Sequence, residues 1–388
     1  MNKYVKRLAR IVPYVNGYYK EIERYRSEIE ALCSEIEGLR STELKYYSCW
    51  EIDNFSFRFR SLLAPVKKNI TLCCDPYIDN PGIALCETPE ESVMNFVKLR
   101  SEIMAESIKF SLLGRNAMDD ERIFTSECAK CPKFQLSNWK GGSLIGHIEL
   151  GMYPAPCQCK CIYCWMTKVL NVPKIDEESS KSYEKVFAVI DWAQKNGMTA
   201  RDLTWDVVGG EITIHPYKDR MFSIIKEQTA NFFTNCFIFD ENIAANLSAN
   251  KKSSITYSID SGTPETWFKV KGVNNFETVI GNLEKYVANG VRSEQILLKY
   301  LVLPGINDNP EDYRSIIQIA KERLKVMSME ISVDNNTKYR ESLIKPVGYL
   351  LAMLRKNDFT TIFSPHIMQD EIKRITAFSD ELLKSGEV

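Results

Sequence analysis

The densest chemistry in the sequence lies between residues 157 and 164, where Cys157-Gln158-Cys159-Lys160-Cys161-Ile162-Tyr163-Cys164 places four sulfurs in eight residues. Thiols packed this closely hold soft metals, either zinc in a four-sulfur cage or iron in a sulfide-bridged cluster. Cys157, Cys161 and Cys164 supply three thiolates on one tight loop, which satisfies three irons of a cubane and leaves the fourth open to a substrate or cofactor. Cys159 falls between these positions as a spectator. Downstream, Gly209-Gly210-Glu211 follows a predicted strand, so close backbone approach and a carboxylate face the same end as the cysteine loop. An open metal position beside such a turn argues for a catalytic centre rather than a structural zinc.

A second group, Cys73, Cys74, Cys86, Cys128 and Cys131, offers five thiols, enough for one closed four-cysteine site. Cys73 and Cys74 compete for a single position, and Cys74 directly precedes the Asp75-Pro76 turn. Cys74, Cys86, Cys128 and Cys131 are therefore the candidate ligands, for an iron-sulfur cluster or a structural zinc. The three histidines, His147, His215 and His366, are read as structural; His215 is the one near enough in sequence to the glycine-acid motif to act as a base. Asp334, Asn335 and Asn336 end the sixth predicted strand of the second half and are candidates for substrate contact.

Fifty basic and 51 acidic residues leave a net charge of -1 over 388 residues, so no whole-protein field favours nucleic acid or an acidic membrane. The N-terminus lacks the apolar core of a signal peptide, and no run of about 18 apolar residues occurs. A cytoplasmic protein is expected. There the twelve cysteines are reduced thiols rather than a disulfide framework, and nine of them fall between Cys73 and Cys164.

The elements that must position these residues follow from periodicity. Val15, Tyr18, Ile22, Tyr25, Ile29, Leu32, Ile36 and Leu39 alternate steps of three and four, the seam of a coiled coil. Glu21 can reach Arg26, and Glu35 can reach Arg40, of a parallel partner, so a parallel homodimer through 15–40 is expected; a single amphipathic helix is the alternative. Residues 69–73 and 83–86 read as a hairpin, followed by a long helix over 89–113. From residue 143 strands and helices alternate: strands over 144–150, 202–208, 231–234, 254–259, 295–303 and 326–333, and helices over 183–195, 219–228, 241–247, 276–288 and 311–324. Six such units predict an α/β fold, a partial (β/α)6 barrel. The domain reading is an N-terminal helix or coiled coil over 1–50, a small α+β cysteine-rich domain over 51–140, and the partial barrel with C-terminal helices over 141–388.

These motifs, taken in order, make residues 144–333 similar to the radical SAM (S-adenosylmethionine) superfamily. The cysteine spacing with Tyr163 before the last cysteine fits it, as do Gly209-Gly210-Glu211, Thr234-Asn235, the stretch Ser258-Ile259-Asp260-Ser261-Gly262-Thr263, and Lys299 leading to Leu303-Pro304-Gly305. The resemblance implies that a [4Fe-4S] cluster on Cys157, Cys161 and Cys164 binds SAM at its open iron and cleaves it to methionine and a 5'-deoxyadenosyl radical, which takes hydrogen from a substrate carbon. It places Tyr163 near the adenine, Gly209, Gly210 and Glu211 at the SAM ammonium, Ser258 at the ribose or carboxylate, and Thr234 and Lys299 toward the substrate. A buried strand threonine and a solvated lysine are the plainer readings of those last two.

The second cysteine group resembles the SPASM domain, which carries auxiliary [4Fe-4S] clusters in peptide-modifying enzymes, although it precedes the barrel here. A peptide or protein substrate is therefore expected, with a sugar or glycan intermediate as the alternative and an electron donor such as flavodoxin or ferredoxin as partner. The third reading is an iron-sulfur electron-transfer protein that does not cleave SAM.

Overall fold

The computed structural model describes residues 24, 27, 45–62, 68–73, 79–113, 127–164, 174–334, 337 and 340–388. The expected coiled coil over 15–40 lies outside the described residues apart from Arg24 and Ser27, as do Cys74, Asn335 and Asn336. Contacts divide the chain into a cysteine-rich unit, Met1–Ser56, Leu72–Pro81 and Asn95–Ile145, and a sheet unit, Phe57–Thr71, Gly82–Met94 and Gly146–Val388.

In the cysteine-rich unit, β1 (Tyr46–Ser48) pairs antiparallel with β5 (Gln135–Ser137), Tyr47 opposite Leu136. Tyr47, Phe110 and Phe134 form an aromatic cluster with centroids 4.7 to 6.2 Å apart. Arg100 is buried over the Phe55 ring and donates to the Ile52 carbonyl at 2.9 Å, which ties the short helix α1 (Trp50–Asp53) to the long helix α2 (Pro89–Leu113).

The sheet unit is built on a ten-stranded sheet in the order β12-β11-β10-β9-β8-β7-β6-β2-β3-β4. The six predicted strands of the second half are present as β6 (Ile145–Tyr153), β7 (Thr199–Val207), β8 (Thr229–Thr234), β9 (Ser254–Ser258), β10 (Ile296–Val302) and β11 (Ser328–Val333). From β7 to β12 (Thr360–Phe363) all neighbours are parallel. Each new strand adds to the same edge, the order that curls a parallel sheet toward a barrel instead of reversing it as in a doubly wound fold. Among the described strands no pairing joins β12 to β4, so the barrel is partial. The mixed α/β class with a parallel sheet is as expected.

The connecting helices begin where their caps dictate. Asp176 accepts from the Ser179 N–H at 2.8 Å to open α3 (Glu177–Lys195). Asp240 accepts from Asn242 at 2.9 Å to open α5 (Glu241–Ala249), which follows α4 (Lys218–Ile225), and Asn309 accepts from Asp312 at 2.9 Å to open α8 (Pro310–Gln318). Between them lie α6 (Pro264–Lys271) and α7 (Phe276–Ala288), and the chain ends with α9 (Ile344–Lys356) and α10 (Gln369–Ser385). Among the described residues no helix is long and apolar enough to cross a membrane.

Two elements differ from expectation. Helix α6, bounded by Thr263 and by Gly272 in the left-handed region, is only eight residues long, too short to show a periodicity. The hairpin forms as β3 (Ile70–Thr71) against β4 (Gly82–Ile83), but β3 also pairs with β2 (Ser56–Ser61), so the hairpin extends the main sheet. Gly82 permits this pairing: a Cβ there would stand 2.5 Å from the Ile70 carbonyl oxygen.

Alternation along the strands gives the sheet two unlike faces. Trp205, Phe232, Tyr257 and Tyr300 are buried, and helices α4, α6 and α8 meet this face through Phe222, Trp267 and Tyr313. The opposite positions carry Asp206, Asn231, Thr256, Ser258, Lys299 and Glu330. A parallel sheet covered on both faces reads as continuous apolar runs, so this polar face is reserved for something other than packing.

Candidate active site

Four of the motifs follow strands of the main sheet, and those after β7, β8 and β9 stand at the C-terminal ends of parallel strands, the end where sites assemble in such sheets. The cysteine loop follows β6, the glycine-acid turn follows β7, Asn235 follows β8, and Asp260 follows β9. What joins them is hydrogen bonding, together with an apolar cluster in which Tyr163 packs against Val270, Leu301 and Leu303.

Gly210, at φ +65, passes so close to the cysteine loop that a Cβ would stand 2.6 Å from Ala155 Cβ and 2.7 Å from the Pro156 oxygen. That approach lets the Glu211 N–H donate to the Pro156 carbonyl at 2.7 Å, immediately before Cys157. The buried Glu211 carboxylate accepts from Thr213 Oγ1 and Thr234 Oγ1, each at 2.8 Å, and from the Asn235 N–H at 2.6 Å. Burial raises the Glu211 pKa while these donors oppose the rise. Glu211 thereby locks the β7 and β8 loops together. Thr234 completes the lock, because its hydroxyl also accepts from the Cys236 N–H at 3.1 Å.

Asn235 carries the lock to the sulfurs, its side-chain amide donating to Cys157 Sγ at 3.6 Å and to Gln158 Oε1 at 2.9 Å. Cys157, Cys161 and Cys164 are each partly exposed, whereas Cys159 is buried with its thiol in reach of either Cys157 or Cys161 as acceptor. A bond from Cys159, followed by the charge of Lys271, pulls the Cys161 thiol down to about 6 despite its burial. Cys159 is raised by the same bonding.

On the other side, α6 clamps the loop. The Lys160 and Ile162 N–H groups donate to the Lys271 and Val270 carbonyls at 2.8 and 3.0 Å, and Gly272 leaves room for Lys160, whose Cβ would be 3.0 Å from a Cβ placed there. Beneath this clamp Lys271 and Asp260 form an ion pair at 3 % and 0 % side-chain exposure. Tyr163 donates to Asp260 at 2.6 Å and accepts from Lys271 at 2.9 Å. The backbone N–H of Leu301 donates to the second Asp260 oxygen at 2.7 Å, and Asn307 donates to the Asp260 carbonyl at 2.8 Å. A buried ion pair this fully bonded fixes one geometry.

The structure thus brings Cys157, Tyr163, Gly210, Glu211 and Thr234 into one network, with Cys161 and Cys164 on the same loop and Gly209 next to Gly210. Ser258 and Lys299 are register partners on the polar face, and Lys299 pairs with Glu330 at 3.0 Å. Of the histidines, His215 is a satisfied core residue: its Nδ1 accepts from the Tyr217 N–H at 3.2 Å and its Nε2 lies 3.0 Å from the Tyr183 hydroxyl. That hydroxyl in turn donates to the Pro154 carbonyl at 2.8 Å. Burial lowers His215 to about 4. His147, lowered to about 3 by burial and then by Arg58 and Arg60, sits on the polar face beside Glu149 and Asp206. Asp334 follows β11, and its carbonyl accepts from the Thr337 N–H at 3.0 Å.

Of the second cysteine group, Cys128 and Cys131 line one cavity of the cysteine-rich unit together with Cys73 and Cys49, a residue the sequence reading passed over. Cys86 is not among its lining residues; it belongs to the sheet unit, where its thiol faces the Ala84 carbonyl at 3.7 Å. The sequence reading also missed the Asp260–Lys271 pair and Asn235 as functional positions. Asp260 and Asn235 lie inside quoted motifs, but nothing in the sequence shows that a short helix returns Lys271 to Asp260.

The radical SAM superfamily model matches residues 156–317. Among solved structures, SuiB from Streptococcus suis is similar at 15% identity with a TM-score of 0.44, over 73% of this chain and 56% of that one. SuiB bound to the precursor peptide SuiA is similar at 15% identity and TM-score 0.44, over 75% and 57%. A radical SAM methyltransferase from Sphaerobacter thermophilus is similar at 14% identity and TM-score 0.38, over 54% and 64%. The chain therefore spans little more than half the length of the SuiB chains it matches. No curated protein matches it in sequence.

Proposed function

Residues 156–317 of this chain are a radical SAM superfamily domain, and from that premise we propose that the protein is an enzyme that cleaves S-adenosylmethionine reductively and uses the radical to take hydrogen from a peptide or protein. The observation that carries the reading is the three-cysteine loop, held at the C-terminal ends of parallel strands by bonds from the loops after β7 and β8 and from α6. A [4Fe-4S] cluster on Cys157, Cys161 and Cys164 supplies, when bound, the open iron and the electron for that cleavage.

The residues fit such a group. Three partly exposed thiols share one loop, an amide donor is aimed at Cys157 Sγ, and a buried cation lies behind Cys161. Lys271 and Asn235 favour negative sulfur, and hydrogen bonds and charge at cluster sulfurs tune the reduction potential. Glu211 works as a brace between loops, and Gly210 lets the cysteine loop approach it closely. The polar face from β6 to β10 supplies the substrate side.

A peptide or protein is supported by the likeness of the second cysteine group to an auxiliary-cluster module and by the mixed charges of the polar face. An auxiliary [4Fe-4S] cluster in the cysteine-rich unit belongs to the same reading. The amide and hydroxyl lining of Asn231, Thr256 and Ser258 favours a second substrate reading, a sugar or glycan.

The test is formation of 5'-deoxyadenosine from SAM and dithionite by the anaerobically reconstituted protein, against a Cys157→Ala, Cys161→Ala, Cys164→Ala variant. Turnover in wild type alone is expected. A wild type fully loaded with iron that forms none, with or without a low-mass extract of the source organism, would sink the enzyme reading. Stimulation by that extract that is lost after protease treatment supports the peptide; loss after periodate alone supports the sugar.

A further inference from the structure

The four described cysteines of the cysteine-rich unit, Cys49, Cys73, Cys128 and Cys131, all line a single cavity of about 270 Å³. They come from three separate stretches of chain. Cys49 stands between β1 and α1, Cys73 follows Leu72, whose N–H donates to the Pro81 carbonyl at 2.9 Å, and Cys128 and Cys131 share one turn closed by a 3.0 Å backbone bond. Buried Ile52, Leu72 and Phe134 complete the wall. Thiols from three segments do not meet around one space through local sequence effects.

The spread of the thiols separates the possible metals. Zinc draws four sulfurs in to about 2.3 Å from a single ion, so that the sulfurs stand about 3.8 Å apart. Among the described residues the group that brings at least three ligand atoms within 4.8 Å of one another is His147, Glu149 and Asp206, which leaves these cysteines more widely spread. A cubane cluster binds each thiolate at a different iron and fills the volume between them. The His147 group is a poorer metal site, because Arg58 and Arg60 both pair with Glu149.

We infer that Cys49, Cys73, Cys128 and Cys131 bind a second [4Fe-4S] cluster in which every iron has a protein thiolate. The inference rests on the auxiliary-cluster reading above, brings in Cys49, leaves out Cys86 and gives Cys73 the position for which it and Cys74 compete. With four protein ligands the cluster has no open iron for SAM. Asn80 stands beside one ligand, accepting from Cys73 Sγ at 2.9 Å, and its amide can turn to donate N–H to the same sulfur as a thiolate.

The experiment uses the full-length chain carrying Cys157→Ala, Cys161→Ala and Cys164→Ala, reconstituted anaerobically with iron and sulfide. About four irons and about four sulfides per chain are expected, with a [4Fe-4S] electron paramagnetic resonance signal after reduction. Adding Cys49→Ser is expected to abolish or alter that signal, and adding Cys86→Ser or Cys74→Ser to leave it unchanged. A variant that misfolds does not decide the matter, so cysteine alkylation of the loaded and the chelator-treated parent is compared by mass spectrometry. Protection of Cys49, Cys73, Cys128 and Cys131 in the loaded form supports the site. An iron content and signal unmoved by Cys49→Ser, protection of Cys74 or Cys86 in place of Cys49, or one zinc without sulfide would overturn it. Failure of wild type to cleave SAM would leave this result standing.

Discussion

The Lys271–Asp260 pair sets what single side chains do near the cysteine loop. Both partners are buried, so Lys271→Met leaves the buried Asp260 carboxylate without its counter-charge and is expected to lower stability by about 3–5 kcal/mol. Lys271→Met with Asp260→Asn is expected to recover most of that loss, because the double variant leaves no charge uncompensated. Urea unfolding of cluster-free protein measures the cycle, and additive losses would refute the coupling. His215 gives a pH-dependent counterpart. Burial lowers it from 6.5 to about 4, so the unfolded chain takes up a proton first as the pH falls. The contribution is therefore complete above about pH 6.5 and is lost as the pH drops toward 4, on the order of 3 kcal/mol in all. Cluster-free His215→Gln is expected to show a flatter decline in unfolding midpoint across that window than its parent. At this scale the cysteines were legible because ligand chemistry is written in their spacing. Asp260 and Lys271 were not, since their pairing depends on how a turn and a short helix fold back.

Elements show the same division between what periodicity records and what it does not. The strands of the second half and helix α7 were legible because apolar residues recur along them at the period of each structure. Helix α6 and strand β12, at eight and four residues, are too short to carry a period, and β12 depends on the edge that β11 already offers. Glycines test how closely the elements meet. Gly210→Ala forces a Cβ into Ala155 and Pro156 at positive φ and is expected to cost at least about 1–3 kcal/mol while loosening iron retention by the Cys157 loop. Gly262→Ala meets the Asp312 carbonyl oxygen at 2.0 Å and is expected to cost more, without touching the cysteines. Gly281, inside α7 with no atom within 4 Å of where a Cβ would stand, supplies the control: Gly281→Ala is expected to stabilise by about 0.5–1 kcal/mol. Thermal unfolding of the three variants ranks them, and equal effects would show that close approach is not what selects glycine at 210 and 262.

At the scale of the whole molecule, the near-zero net charge gave no support to a nucleic-acid role, and clustered thiols pointed to metal, but neither separates the two cysteine groups by role. Geometry does. Three partly exposed thiols on a loop at the strand ends suit a group that must leave one iron open, whereas four thiols from three segments around an apolar cavity suit a closed one. Cys49 stayed hidden in the sequence because it stands 24 positions before Cys73, outside any recognisable spacing, and only the folding of β1 against β5 sets its place. If the roles divide this way, SAM cleavage depends on the sheet unit alone, and steps that move an electron to or from the substrate radical depend on both units. Reconstituted Cys128→Ser, Cys131→Ser protein is therefore expected to fall from about eight irons to about four and to keep forming 5'-deoxyadenosine from SAM and dithionite at a rate within about threefold of wild type. The extract-stimulated part of that turnover is expected to be lost. Retention of full stimulation with about four irons bound would show that the second cluster takes no part in moving that electron.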